Sequence, residues 1–348
     1  MMTTDKILIY TPFPYDINKG GPPGFIAHNL VDVKSNYFIL SNHLIPKSSF
    51  LNKVKYKIFE HVFNETDSYF DKIKANRYKY LYFHDCLSFY SCRKKIKSSQ
   101  IVIFQSHSPE LPSEEVKSFG DNDFYELVKK AEIEAFDRAD ILVFPNSGAE
   151  KIYETVKRTQ SETKYILSGA KSVSDIRRYP LDKEKINVLY IGRRNQVKGF
   201  DMLLNQFSKV SEFRKNINLI IVGNGEKING TNIYDVGFSS TPNNWYNSVD
   251  YVINCNRQSY FDLSVIEALS TGVPLIMTDN FGHEYYRDKS KEIITFDSNS
   301  PEQLFEILTK EPLKKRDYET KENINLYKNE LSNLIYINRL ESFVKEIL

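Results

Sequence analysis

No run of apolar residues in this 348-residue chain approaches the roughly 18 needed for a helix to cross a bilayer. Cysteine is scarce. Cys86, Cys92 and Cys255 are odd in number and lack metal-ligand spacing. That excludes a disulfide framework and a zinc ribbon, and it fits reduced thiols in a cytoplasm. Net charge is nearly absent, with 47 Lys+Arg against 45 Asp+Glu, so the whole-chain charge points to no nucleic-acid partner. The first apolar run, 7–10, stops at Thr11 and Pro12 and is too short for the core of a secretory signal. No Gly-Lys-Ser/Thr follows the Gly-rich stretch at 20–24, which excludes a P-loop, and no Gly-x-Ser-x-Gly elbow occurs. Gly223-Asn224-Gly225 opens a dinucleotide fingerprint, but the third glycine, Gly230, comes one residue late and no helical period follows.

What remains is the composition of a folded protein, 41% hydrophobic and 26% charged, with mean hydropathy −0.45. The length predicts about two domains, each able to bury a core without staples. Short, continuous apolar runs recur. One set is 7–10, 37–40, 80–83, 101–104, 141–144 and 165–167; a second is 188–191, 219–222, 234–236, 251–253, 274–277 and 293–296. Continuous apolarity predicts strands buried on both faces, hence parallel sheets. Helical periods lie between them. Tyr125, Val128, Ile133 and Phe136 mark one, and Phe200, Leu203, Leu204 and Phe207 another. Ser300-Pro301-Glu302-Gln303 carries the signature of a capped helix start. The pattern reads as two doubly wound α/β domains. The boundaries are 1–175 for an N-terminal Rossmann-like domain and 176–325 for a C-terminal one. The linker falls in the polar stretch 168–185. The segment 326–348 reads as an amphipathic helix packed across the domains.

Charge is unevenly spread. Lys47 to Lys97 holds twelve Lys/Arg against five Asp/Glu, interleaved with Phe50, Tyr56, Phe59, Phe63, Tyr69, Phe70, Tyr78 and Tyr80. Such a mixture can bind an anionic membrane surface or nucleic acid, and its plainer reading is a solvated face over an aromatic-rich core.

Three places carry candidate chemistry. Gly20-Gly21 follows the first strand, where backbone without side chains could approach a phosphate or sugar. A buried strand ends at Gly192, followed by Arg193 and then Lys198-Gly199 before a helix. Two cations beside a helix start form a site for a dianion such as a diphosphate. The stretch 251–277 gives a strand, a loop and a helix near Leu263–Ser264, with Glu267 one turn inside. Free N–H groups there suit a phosphate, and that carboxylate suits a ribose diol. Asp121 and Asp123 resemble a metal-holding Asp-x-Asp pair, but they stand at a helix start, where carboxylates serve the dipole.

The Gly-Arg…Lys-Gly stretch, the segment FDLSVIEALSTGVPLIMTD and the turn Val222-Gly223-Asn224-Gly225 resemble the donor half of family 4 glycosyltransferases over residues 187–300. The N-terminal half is similar more loosely, through Gly20-Gly21, His84-Asp85 and His107. The resemblance implies a GT-B fold whose two Rossmann-like domains face a cleft. It implies retaining, metal-independent transfer with no cofactor. Arg193 and Lys198 match the pair that neutralises the donor diphosphate, and His107 the histidine near the donor sugar. Gly192, Gly223, Leu263 and Ser264 fall with the donor-binding backbone. Glu267 matches the second glutamate of the Glu-x7-Glu signature. The first stands replaced by Ser259, and Asp262 is the nearest carboxylate to supply its place. His84 and Asp85 fall with acceptor contacts.

The expected partners are a UDP- or GDP-sugar donor and a glycan or lipid-linked acceptor, as in capsule or lipopolysaccharide synthesis. The expected place is the cytoplasm, with peripheral contact to an anionic membrane and none with nucleic acid. The alternatives are an inactive GT-B partner subunit, motivated by Ser259, a metal-dependent transferase using Asp121 and Asp123, and another GT-B chemistry such as epimerisation.

Overall fold

The computed structural model describes residues 4–44, 68–117, 120–174, 178–310, 313–316 and 321–348. The chain forms two compact units. The first takes Met1–Ser168 and Tyr336–Leu348, the second Gly169–Ile335. Each contains a six-stranded parallel sheet with helices between the strands, which is the α/β GT-B class expected of the sequence.

In the first unit the strands are β1 (Thr4–Tyr10), β2 (Phe38–Leu40), β3 (Tyr78–Phe83), β4 (Ile101–Phe104), β5 (Ile141–Phe144) and β6 (Glu162–Tyr165). Their order is β2-β1-β3-β4-β5-β6. In the second they are β7 (Ile186–Ile191), β8 (Ile217–Val222), β9 (Ile233–Gly237), β10 (Tyr251–Asn254), β11 (Leu275–Thr278) and β12 (Ile293–Phe296). Their order is β12-β11-β10-β7-β8-β9. The apolar runs become strands because both faces are covered: Ile7, Leu8, Ile9 and Tyr10 are fully buried, as are Leu219, Ile220 and Ile221. Each such side chain contributes roughly 1.5–3 kcal/mol relative to exposure. The chain direction of the order reverses between β1 and β3 in one sheet and between β7 and β10 in the other. Ligands of open α/β sheets bind at the carboxyl ends of strands flanking such a reversal.

Three local expectations shift. The run 165–167 is not itself a strand; β6 lies three residues earlier and pairs only with β5. It is an edge strand of sequence Glu-Thr-Lys-Tyr with half its residues exposed, a pattern that a search for continuous apolarity misses. The expected cap at Ser300 does not form around Gln303, whose Oε1 accepts instead from the Asp297 N–H at 3.0 Å. The C-terminal helix is not continuous. A π-helical turn Tyr327–Leu331 ends at Ser332, which is extended and bridges to Ala170, and a new helix runs Asn333–Ile347. The break leaves Leu334 67% exposed. From Tyr336 onward the helix belongs to the first unit, where Glu341 accepts from the Ser35 hydroxyl at 2.7 Å and Glu346 pairs with Lys164.

The basic aromatic stretch lies partly outside the described residues, with Phe50, Tyr56, Phe59 and Phe63 among those at 45–67. Of its described aromatics, Phe70, Tyr78 and Tyr80 are buried and Tyr69 is half-buried, so they belong to the core. Among the described residues no helix is long and apolar enough to cross a membrane.

Candidate nucleotide-sugar site

The second sheet brings two loops together at its order reversal. After β7 the chain runs through Gly192 to Gly199 and enters the helix Phe200–Phe213; after β10 it reaches the helix Leu263–Thr271. Lys198 bridges them. Its Nζ lies 2.9 Å from Asp262 Oδ1, and Asp262 is the N-cap residue of the helix Leu263–Thr271. An ammonium is thus held beside the free N–H groups of a helix start. The other Asp262 oxygen accepts from Asn256 Nδ2 at 2.7 Å and faces His283 Nε2 at 2.9 Å. Burial alone would raise this carboxyl; Lys198 and His283 overcome that and hold it well below the usual carboxylate range.

Asp262 was the carboxylate expected to stand in for the missing glutamate at 259. Both its oxygens already carry protein donors. Ser259 itself is buried, its Oγ 3.3 Å from the amides of Asn256 and Asn280. The structure therefore turns Asp262 toward Lys198.

Arg193 and Arg194 divide their roles. The Arg193 side chain is exposed at the strand end, and its carbonyl accepts from the Tyr190 hydroxyl. Arg194, unremarked in the sequence, is the buried one. It grips Asp235 through both terminal nitrogens, at 2.5 and 2.8 Å, and donates to the Gly223 carbonyl at 2.8 Å. The carboxyl of Asp235 is raised by burial, but Arg194 outweighs this and leaves it lowered. This arginine ties the turn after β8 to the loop after β7. The same two loops touch at Gly192 and Gly223, where a Cβ on Gly223 would lie 2.1 Å from the Gly192 oxygen. The close approach that demands glycine here is thus backbone to backbone.

Leu263 and Ser264 occupy the first turn of their helix, both half-buried. Glu267 lies one turn on and is 8% exposed. Its oxygens face Asn243 Nδ2 at 3.4 Å and the Tyr246 hydroxyl at 3.2 Å. Both contacts are long, so exchange for two ribose hydroxyls loses little. Burial and the neighbouring Glu267 push the Tyr246 hydroxyl well above its ordinary range, which keeps it a donor.

The first sheet gathers a different set. His84 follows β3 and is fully buried. Its Nδ1 is 2.8 Å from His107 Nε2. The two rings meet edge to edge, their planes 22° apart and their centroids 5.1 Å apart, with the Tyr82 ring 4.5 Å from His84 and the Phe25 ring 4.3 Å from His107. Burial drives the His84 imidazole down to about 3 and, with His84 beside it, drives His107 well below its ordinary value. Asp85 is spoken for: it caps the helix Cys86–Cys92, accepting from the Ser88 N–H at 2.7 Å and the Ser88 hydroxyl at 2.6 Å. Burial raises its carboxyl despite these bonds. Gly20 and Gly21 open the helix Gly21–Asn29 with nothing within 4 Å of a Cβ built on either. Asp121 likewise caps a helix, accepting from the Phe124 N–H at 3.0 Å. Among the described residues no three His, Cys, Asp or Glu side chains gather as a metal set.

Residues missed in the sequence are Arg194, Asn256 and His283. The signal for them was position only: each follows a strand of the second sheet, near the order reversal or beside it.

Residues 185–310 match the family described as Glycosyl transferases group 1. They include β7, Lys198, Asp262, Glu267 and His283. An uncharacterized glycosyltransferase of Methanocaldococcus jannaschii is 28% identical over 162 residues, 40% of this chain and 40% of that protein. An uncharacterized 41.2 kDa protein in the cps region of Klebsiella pneumoniae is 26% identical over 221 residues, 60% of this chain and 54% of that one. The chain thus spans about half the length, or less, of these curated relatives. Among solved structures, HepE of Anabaena in complex with UDP and glucose superposes with a TM-score of 0.61 at 11% identity. It covers 98% of this chain and 99% of that one, a likeness of fold.

Proposed function

We propose that this chain transfers a sugar from a UDP- or GDP-sugar to a glycan or lipid-linked glycan in surface polysaccharide synthesis. The observation that carries the reading is Lys198, fixed 2.9 Å from Asp262 at the start of the helix Leu263–Thr271, where the order of the second sheet reverses. The match over residues 185–310, the cps-region relative and the UDP complex of HepE lend support. The second unit holds the donor, with Lys198, Arg193 and the helix start on the diphosphate and Glu267 on the ribose. The first unit takes the acceptor, at the strand ends that carry His84 and His107.

In the transfer, the bond from the anomeric carbon to the donor phosphate oxygen breaks, and the acceptor hydroxyl oxygen bonds that carbon with retention. The hydroxyl proton passes to the departing phosphate. Negative charge grows on the diphosphate, where the fixed donors are placed to meet it. Two cations and the helix start supply this charge in place of a divalent ion, so turnover should persist in excess EDTA. Purified protein warmed with UDP-, GDP-, ADP- and CMP-sugars tests the reading. A specific rise in melting temperature with one uridine or guanosine donor is expected; no rise with any would end it.

A second reading has its own observation. Ser259 puts no carboxylate at its position, and Asn256 and Asn280 fill the space around it with amides. A protein that binds nucleotide but turns nothing over by itself would be a partner subunit of an active transferase.

A further inference from the structure

His283 is fully buried in the turn Phe281–Tyr286, and both of its ring nitrogens face oxygen. Nδ1 lies 2.8 Å from the Thr278 carbonyl oxygen, and Nε2 lies 2.9 Å from Asp262 Oδ2. A carbonyl only accepts, and so does an ionised carboxylate. Lys198 on the other oxygen and Asn256 on the same one are both donors that favour the ionised form. Asn280 Nδ2 is also 3.2 Å from Nδ1, but the Thr278 carbonyl oxygen is closer, and a bare Nδ1 would still set its lone pair against that oxygen at 2.8 Å. A neutral ring owns one N–H and would press a lone pair against one of these oxygens. Only a doubly protonated ring satisfies both.

We infer that His283 is an imidazolium and a positioning residue: it neutralises Asp262, so that the carboxylate aims Lys198 without cancelling it. The charges make the case. Lys198 and Asp262 alone sum to zero, and an ammonium already matched by a carboxylate has little left for an incoming dianion. With His283 added, the buried cluster carries one net positive charge, presented at the start of the helix Leu263–Thr271. His283 thus offsets the charge that Asp262 brings to the start of this helix. This rests on the reading of the site as one for a nucleoside diphosphate, and it adds a residue to that reading.

The test is calorimetric binding of UDP and GDP to the full chain and two variants, with melting temperatures as a check on folding. His283→Gln keeps an amide donor for Asp262 and removes the charge; affinity should fall roughly tenfold. Adding Asp262→Asn removes the carboxylate that then cancels Lys198, so the double variant should recover most of the loss. A merely structural role for His283 gives no such rescue. An unchanged His283→Gln, or a double variant as weak as the single one, overturns the inference. Nitrogen-15 spectra of the His283 ring provide an independent arm. Two protonated nitrogens are expected, and one bare nitrogen overturns the charge assignment. Should the unmodified chain bind neither nucleotide, the functional reading fails while the ring spectrum still decides the pair.

Discussion

Beyond the ends of β7, β10 and β11, the Lys198 ammonium and the His283 ring each lie 2.9 Å from one oxygen of Asp262. At the ends of β3 and β4, two histidines meet edge to edge at 2.8 Å instead, with the rings of Tyr82 and Phe25 beside them. The first cluster fixes charge in a part-buried place. The second uses burial to suppress charge, holding His84 near 3 and His107 well below its ordinary value. Fixed positive charge suits phosphate, whereas a neutral imidazole pair, with one hydrogen bond spent between the rings, has one further ring nitrogen on each, a chemistry that suits hydroxyls. Under the proposed function the same strand-end geometry would serve two ligand chemistries, and what differs is whether the cluster contains a carboxylate within reach of a cation.

The largest expected effect comes from the scaffold of the charged side. Arg194 and Asp235 are 5% and 2% exposed, and the arginine also holds the Gly223 carbonyl. Arg194→Ala leaves Asp235 buried with no cation and should cost about 3–5 kcal/mol in urea-unfolding stability. Lys198→Ala should leave the fold intact and lower kcat about 10²–10³-fold, the scale of one lost transition-state donor. Equal effects of these two variants on melting temperature would erase the distinction between scaffold and site.

The neutral side responds to acid. A histidine whose imidazole is driven down in the fold binds fewer protons there than in the unfolded chain. Its contribution is fully present above about pH 6.5 and is lost as pH falls toward 3. At pH 5 the fully buried His84 alone should cost about 2 kcal/mol relative to pH 7.5. In chemical denaturation at the two pH values, His84→Phe should flatten that difference; a slope unaltered by the substitution would show that the ring takes its proton freely.

The two sites were unequally legible in the sequence for a physical reason. Strands buried on both faces announce themselves by apolarity alone, so eleven of the twelve runs fall on strands and only the polar edge strand β6 slipped. Lys198 and Glu267 were legible because a strand end and a helix start near them set their direction. His283 was not, since its meaning comes from Asp262, 21 residues away. Arg194 illustrates the same limit. Adjacent arginines after a strand look alike, and only the turn after β8 decides which of them is buried. The helix break at Ser332 depends on a bridge to Ala170 that no local period encodes.

The smallest effect separates the two glycines that lead into the helix Gly21–Asn29. Gly21 has φ +66, the left-handed region, whereas Gly20 is extended at φ −80. No atom lies within 4 Å of a Cβ at either. Gly21→Ser therefore meets backbone strain alone and should cost about 1–2 kcal/mol. Gly20→Ser places a good capping residue at the N-cap and should change stability by no more than about 0.5 kcal/mol. A ligand whose phosphate or sugar approaches the Gly20 backbone would nevertheless meet the new side chain. Raised KM in Gly20→Ser with stability unmoved is the outcome expected if this loop belongs to the substrate site. Unchanged kinetics would make it a plain turn.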